Sequence, residues 1–161
     1  QRWKAGAQVA VMNAGGVRAP LQAGTITWGD LYQVHPFGNM LVLLELRGSD
    51  LRQVMEHAVR RDAADAHISG MTVEFDATRP AGSRVVSMRL ADGTAVRDDG
   101  TYRVVTNDFL SSGVGDGYAP FARALRETPL GVTDLDALIE YVQQLPQPVR
   151  APQDVRIRAV R

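Results

Sequence analysis

The stretch that most constrains this chain is Met12-Asn13-Ala14-Gly15-Gly16-Val17-Arg18. It follows an apolar run over residues 8–12 in which apolar and polar positions barely alternate, and this predicts a strand buried on both faces. Two successive glycines then let the backbone take φ > 0 or approach a ligand closely. A strand that ends in Asn, two glycines and an Arg offers backbone N–H groups, an amide and a guanidinium from one turn. The guanidinium is a planar fork of donors that matches phosphate or carboxylate. The same residues also describe a tight strand exit with a surface Arg, so the choice falls to the rest of the chain.

Around that turn, strands and helices mix without strict β-α alternation, which predicts an α+β fold rather than a doubly wound sheet. A length of 161 residues suits a single domain with its own core. Thr27 with Asp30 forms a capping-box pattern, predicting a short helix from Trp28 to about Val34 that stops at His35-Pro36. Residues 40–46 predict a second buried strand closed by Gly48. Ser49 is expected to cap an amphipathic helix with Leu51, Val54, Met55, Ala58 and Val59 on its apolar stripe. Arg52, Arg60 and Arg61 form its expected solvated face, and residues 62–66 read as a polar loop.

From His67 the pattern becomes short alternating strands. Met71, Val73 and Phe75 face one way, then Val86, Met88 and Leu90, with a hairpin signal at Asp92-Gly93. Residues 102–106 are a further strand that runs into Asn107-Asp108-Phe109. A short helix is expected over 121–126. Thr133 with Asp136 opens a last helix carrying Leu135, Leu138, Ile139 and Val142 on one stripe. A proline-rich connector over 145–152 leads to a strand in which Val155, Ile157 and Ala159 alternate.

Catalytic chemistry is sparse. Lys plus Arg equals Asp plus Glu at 18 each, so no global field favours nucleic acid. No apolar run approaches the roughly 20 residues needed to span a bilayer. There is no cysteine, which excludes disulfides, thiolate metal sites and thiol nucleophiles. His35, His57 and His67 have no second histidine or carboxylate at metal-ligand spacing, and no nucleophile-elbow or phosphate-loop motif occurs. No catalytic residue and no metal ligand is therefore expected in this chain.

A second glycine-rich loop, Ser111-Ser112-Gly113-Val114-Gly115-Asp116-Gly117-Tyr118, follows Phe109. Phe37 holds a comparable place between Pro36 and Gly38-Asn39. A Phe set among Gly, Pro and Asn in a loop is either a plug over the core or an exposed stacking surface. Two such rings beside two glycine-rich turns make a clamp for a planar ligand the second alternative.

These motifs in this order resemble the 5'-nucleotidase C-terminal domain family, which includes secreted 5'-nucleotidases, UDP-sugar hydrolases and cyclic-nucleotide phosphodiesterases. The resemblance is carried by Asn13-Ala14-Gly15-Gly16-Val17-Arg18, Gly24-Thr25-Ile26-Thr27 and Pro36-Phe37-Gly38-Asn39. Ser69-Gly70-Met71, Arg84-Val85, Asn107-Asp108-Phe109-Leu110 and Gly115-Asp116-Gly117-Tyr118 continue it.

The resemblance implies a layered α/β/β/α domain over residues 1–161 that binds nucleotide or nucleoside. It also implies a partner in the same polypeptide, an upstream metallophosphoesterase domain with two divalent metal ions, and a periplasmic or extracellular location. By matching position, Asn13 would contact the base, Arg18 the phosphate and Asp116 the ribose, while Phe37 and Phe109 would sandwich the base. Gly15, Gly16, Gly38, Gly113, Gly115 and Gly117 would shape the loops.

Two departures stand out. The second loop is one residue longer than the family's, because Val114 separates Gly113 from Gly115. The family's opening helix, with a further phosphate-binding Arg, is not expected before Ala7, so the domain reads as N-terminally truncated. Two alternative readings of the chain stay open at this point: a non-catalytic nucleoside-binding module, and a relative acting on another small anion.

Overall fold

The computed structural model describes residues 1–61 and 64–160. In chain order the elements are α1 (Arg2–Ala5), β1 (Val9–Asn13), α2 (Trp28–Val34), β2 (Met40–Arg47) and α3 (Gly48–Ala58). Then come β3 (Ala66–Ser69), β4 (Met71–Phe75), β5 (Val85–Leu90), β6 (Thr101–Asn107) and α4 (Asp108–Ser111). The chain ends with β7 (Arg126–Thr133), α5 (Asp134–Gln144) and β8 (Ile157–Ala159).

The strands form a five-stranded mixed sheet, ordered β3-β1-β6-β2-β7, and a three-stranded sheet, β5-β4-β8. One face of the large sheet packs through Val9, Val11, Val42, Leu44 and Val104 against Leu51, Val54, Met55 and Ala58 of α3. The same core takes in Met71, Val73 and Phe75 of the small sheet. The opposite face buries Ala10, Leu41 and Val105 with Ala137 of α5. Strands buried on both faces need apolar residues at successive positions, which is why β1 and β2 read as continuous hydrophobic runs. This is the α+β class expected from the sequence.

Register places the site. β1 runs parallel to β6, while β2 is antiparallel to β6 with Leu41 opposite Asn107. Asn13 pairs with Ala66, and Met40 pairs with Thr133. The end of β1, the end of β6 and the start of β2 therefore share one rim of the sheet. Asn13, Asn107-Asp108-Phe109 and Phe37-Gly38-Asn39 all emerge there.

Helix ends follow their caps. Thr27 and Asp30 make the expected reciprocal capping box at α2, and the Thr133 side chain accepts from Asp136 N at α5. α3 departs from the expectation. It begins at Gly48 with no side-chain cap, so Ser49 lies inside it. Its first N–H groups are instead satisfied by the turn before β6, Gly48 N bonding Gly100 O at 2.8 Å and Ser49 N bonding Asp98 O at 3.0 Å.

Several other expectations are corrected. The helix expected over 121–126 is a 3-10 turn at Ala119–Arg123, and Arg126 instead opens β7. Pro129 and Gly131 in that strand argue against a central strand, and β7 is an edge strand, mostly exposed, where such residues are tolerated. In β5, Val85 rather than Val86 is buried, because the register shifts between Glu74 and Phe75 and turns the strand's face. Val155 lies outside β8 and is exposed, and Ala159 is exposed as well. A one-turn helix, α1, precedes Ala7, and its Arg2 Nε donates to Ser69 Oγ at 3.1 Å. Of the expected 62–66 loop, residues 62 and 63 lie outside the described residues, and Ala66 already belongs to β3.

Candidate functional site

Three loops meet at the rim, and hydrogen bonds tie each to the others. The first is the glycine turn after β1. Asn13 is buried at the strand end, and its Nδ2 donates to Asp116 Oδ2 at 2.7 Å. Asn107 holds Asn13 from the other side. Fully buried at the end of β6, it donates from Nδ2 to Asn13 Oδ1 at 3.4 Å and to Met12 Sδ at 3.3 Å. Its own Oδ1 accepts from Leu110 N at 2.9 Å, so Asn107 also caps α4.

Gly16 is required by close approach. A Cβ there would fall on the Met12 methyl and within 2.8 Å of Asn13 Oδ1. Gly15 is open by comparison, with its nearest atoms at 3.7 Å and beyond.

The second loop joins α2 to β2. His35 Nδ1–H donates to Gly16 O at 3.2 Å, and Arg18 N bonds Val34 O at 3.0 Å, so the end of α2 clamps the glycine turn. Gly38 takes φ 64°, a left-handed conformation that glycine adopts without a Cβ clash, and the chain reverses there into β2. Phe37, just before that turn, stands out from the surface with 60% of its area exposed. The Arg18 guanidinium lies 5.9 Å from the centre of its ring, and Arg18 Nη1 donates to Gly15 O at 3.2 Å. Among the described residues no carboxylate lies within ion-pair distance of Arg18, so its charge is open to an anion.

The third loop follows β6. Asp108 Oδ1 accepts from Met40 N at 3.2 Å, joining the start of α4 to the start of β2. Phe109 is 45% exposed. Gly115 lies against its backbone, and a Cβ at Gly115 would fall on the Phe109 carbonyl oxygen. Gly113 and Gly117 turn the loop at either end, at φ 76° and 77°. Val114 is exposed at the tip, and the loop brings Asp116 onto Asn13. Below it, the hydroxyl of buried Tyr118 donates to Asp65 O at 2.9 Å, and Ala14 N bonds the same carbonyl at 3.4 Å. Burial raises the Tyr118 phenol far above its ordinary pKa, so it stays a neutral donor.

Asn13, Arg18, Phe37, Phe109 and Asp116, named from the sequence, are thus carried by three mutually bonded loops on one rim. Sequence reasoning missed Asn107, Asp108 and His57, whose partners lie far away in the chain. It also placed Arg60 on a solvated face. Arg60 is half-buried, donating to His57 O at 2.7 Å and to Asp65 Oδ2 at 2.8 Å.

Beneath the second loop His35 and Asp134 are both buried, with Nδ1 and Oδ2 4.0 Å apart. Burial lowers the pKa of His35, and burial raises that of Asp134, so both favour their neutral forms. A carboxyl whose folded pKa exceeds its unfolded value contributes stability below the ordinary value. That contribution is lost as pH rises through the folded one. Asp134→Asn should therefore raise the melting temperature at pH 7, and the gain should shrink at about pH 4, near the ordinary carboxylate pKa. A lower melting temperature at pH 7 would contradict this.

Among the described residues no group of three or more His, Asp or Glu could hold a metal ion, and no helix is long and apolar enough to cross a membrane. The 5'-nucleotidase, C-terminal domain family matches residues 1–123, more than half of the chain. The chain belongs to the 5'-nucleotidase C-terminal domain family.

Its relatives carry this domain within longer proteins. Endonuclease YhcR of Bacillus subtilis is 37% identical over 150 residues, covering 92% of this chain and 12% of that protein. A 5'-nucleotidase of Diplobatis ommata is 33% identical over 151 residues, covering 85% of this chain and 26% of that one. The crystal structure of a 5'-nucleotidase precursor from Thermus thermophilus superposes with a TM-score of 0.90 at 36% identity. It covers 98% of this 5'-nucleotidase C-terminal domain and 32% of that chain. The chain thus spans a third or less of each.

Proposed function

We propose that this chain is the nucleotide-binding, specificity-setting domain of a 5'-nucleotidase-type phosphohydrolase. The observation that carries the reading is the rim itself. Two exposed phenyl rings, an unneutralised guanidinium and an amide–carboxylate pair stand on three interlocked loops. In this reading Phe37 and Phe109 stack on the base, Asn13 contacts its edge, Asp116 accepts from ribose hydroxyls, and Arg18 binds the phosphate.

The chemical step is assigned to an upstream metallophosphoesterase domain of the same polypeptide, whose two divalent metals would activate water and polarise the phosphoryl group. This domain contributes by fixing the nucleoside so that the phosphate reaches that centre. A periplasmic or extracellular setting for the whole protein belongs to the same proposal.

Calorimetric titration with AMP and adenosine tests the reading. Both should bind the chain, and AMP should not be hydrolysed when divalent metal is added. Arg18→Ala removes a charge-assisted contact of about 1.5–3 kcal/mol, so AMP should weaken far more than adenosine. Absence of binding by either ligand would refute the proposal, and equal losses for both would refute the role of Arg18.

A further inference from the structure

His57 bears on the same rim from below. It stands in the last turn of α3, and its Nε2–H donates to the Asp116 carbonyl at 2.8 Å. Its ring meets Tyr118 edge-on, with centroids 4.4 Å apart and planes at 65°. A Cβ on Gly117 would come within 3.1 Å of His57 Cε1, so the imidazole fills the space under the turn. The histidine is anchored in its own right, because Arg60 bonds both the His57 carbonyl and Asp65.

Asp116 is the residue that needs this support. Among the described residues it is the one non-glycine at positive φ, 49°. That left-handed conformation is disfavoured for any residue with a Cβ, though Asp tolerates it better than most. The carbonyl that His57 holds belongs to the same residue whose carboxylate meets Asn13. Without the donor, the 116–117 peptide keeps only its Gly117 N–H bond to the Val114 carbonyl at 3.1 Å, and the aim of the carboxylate is left to the Asn13 bond alone.

We infer that His57 is a positioning residue for ligand recognition, holding the Asp116 backbone so that its carboxylate is preset for the two vicinal hydroxyls of a ribose. The inference rests on the nucleoside-binding function proposed above. His57 touches the loop and acts on the ligand only through Asp116.

The test is titration of the chain with adenosine and with 2',3'-dideoxyadenosine, which lacks both hydroxyls. Wild type should prefer adenosine. His57→Phe keeps a ring against Tyr118 and removes the donor. It should weaken adenosine about tenfold, the scale of one well-placed hydrogen bond, and leave the dideoxy nucleoside unchanged. His57→Gln retains an N–H donor and should recover part of the adenosine affinity. His57→Leu gives the same comparison if the phenyl ring is not accommodated.

A donor-free variant that binds both nucleosides as wild type does, or loses both equally, would overturn the inference. So would a wild type that binds the two nucleosides equally well, although base binding would then stand. A wild type that binds neither overturns the functional reading and this inference together.

Discussion

Gly115→Ala should lower stability by roughly 1–3 kcal/mol, the usual penalty for forcing an atom into filled space, and should reduce nucleoside affinity more than tenfold. The added Cβ would fall on the Phe109 carbonyl oxygen and within 2.8 Å of Phe109 C and Cδ1. Two of those three atoms are backbone, and that backbone belongs to α4, which Asn107 caps and Asp108 ties to β2. The loop must therefore move rather than α4. Moving it takes Asp116 off Asn13 and shifts the ring of Phe109.

Gly15→Ala is the matched control. It sits on the same rim, yet its Cβ would meet Asn13 Nδ2 at 3.7 Å and Asp116 Oδ2 at 3.9 Å, which is ordinary contact. Melting curves and adenosine titrations of the two variants should separate clearly. If Gly115→Ala behaves as Gly15→Ala does, close packing of the loop on Phe109 is not what fixes the rim.

The parts of this molecule written in short-range pattern were legible in its sequence. β1 and β2 announce themselves because burial on both faces demands unbroken apolar runs. The stripe of Leu51, Val54, Met55 and Ala58 shows α3 because one helical face meets the core. Thr27 with Asp30 and Thr133 with Asp136 mark helix starts because an N-cap side chain and the backbone N–H it accepts from lie within four residues.

What escaped depends on distant partners. β7 is held as a strand by β2, about 85 residues away by the Leu43–Thr128 pairing, against the local advice of Pro129 and Gly131. The start of α3 is capped by carbonyls of residues 98 and 100, so no local Ser was needed. A one-residue register shift exchanged Val85 for Val86. In the site, residue types were readable as motifs. The Asn107–Asn13, Asp108–Met40 and His57–Asp116 bonds that make the motifs one surface exist only once the sheet has formed.

Phe37→Ala and Phe109→Ala should each weaken nucleoside binding by about 10–100-fold, because stacking one base face on an aromatic ring contributes roughly 1–3 kcal/mol. Stability tells these rings apart from core plugs. A buried Phe replaced by Ala would lower stability by about 3–5 kcal/mol, whereas a ring 60% exposed, as at Phe37, has little burial to lose. Phe37→Ala should melt close to wild type. Phe109, 45% exposed and packed on Gly115, should show a modest drop.

Arg18 adds a further distinction. Its guanidinium rests near the Phe37 ring, so Phe37→Ala also removes a cation–π contact of about 0.5–1 kcal/mol and frees the Arg. AMP should consequently suffer more than adenosine in Phe37→Ala, and by similar amounts to adenosine in Phe109→Ala. A base held between two rings is fixed by both at once, so the double variant should lose less than the sum of the single losses. Strictly additive losses would mean that the rings act on different parts of the ligand. Large melting-temperature drops in both single variants would mean that they serve the core instead.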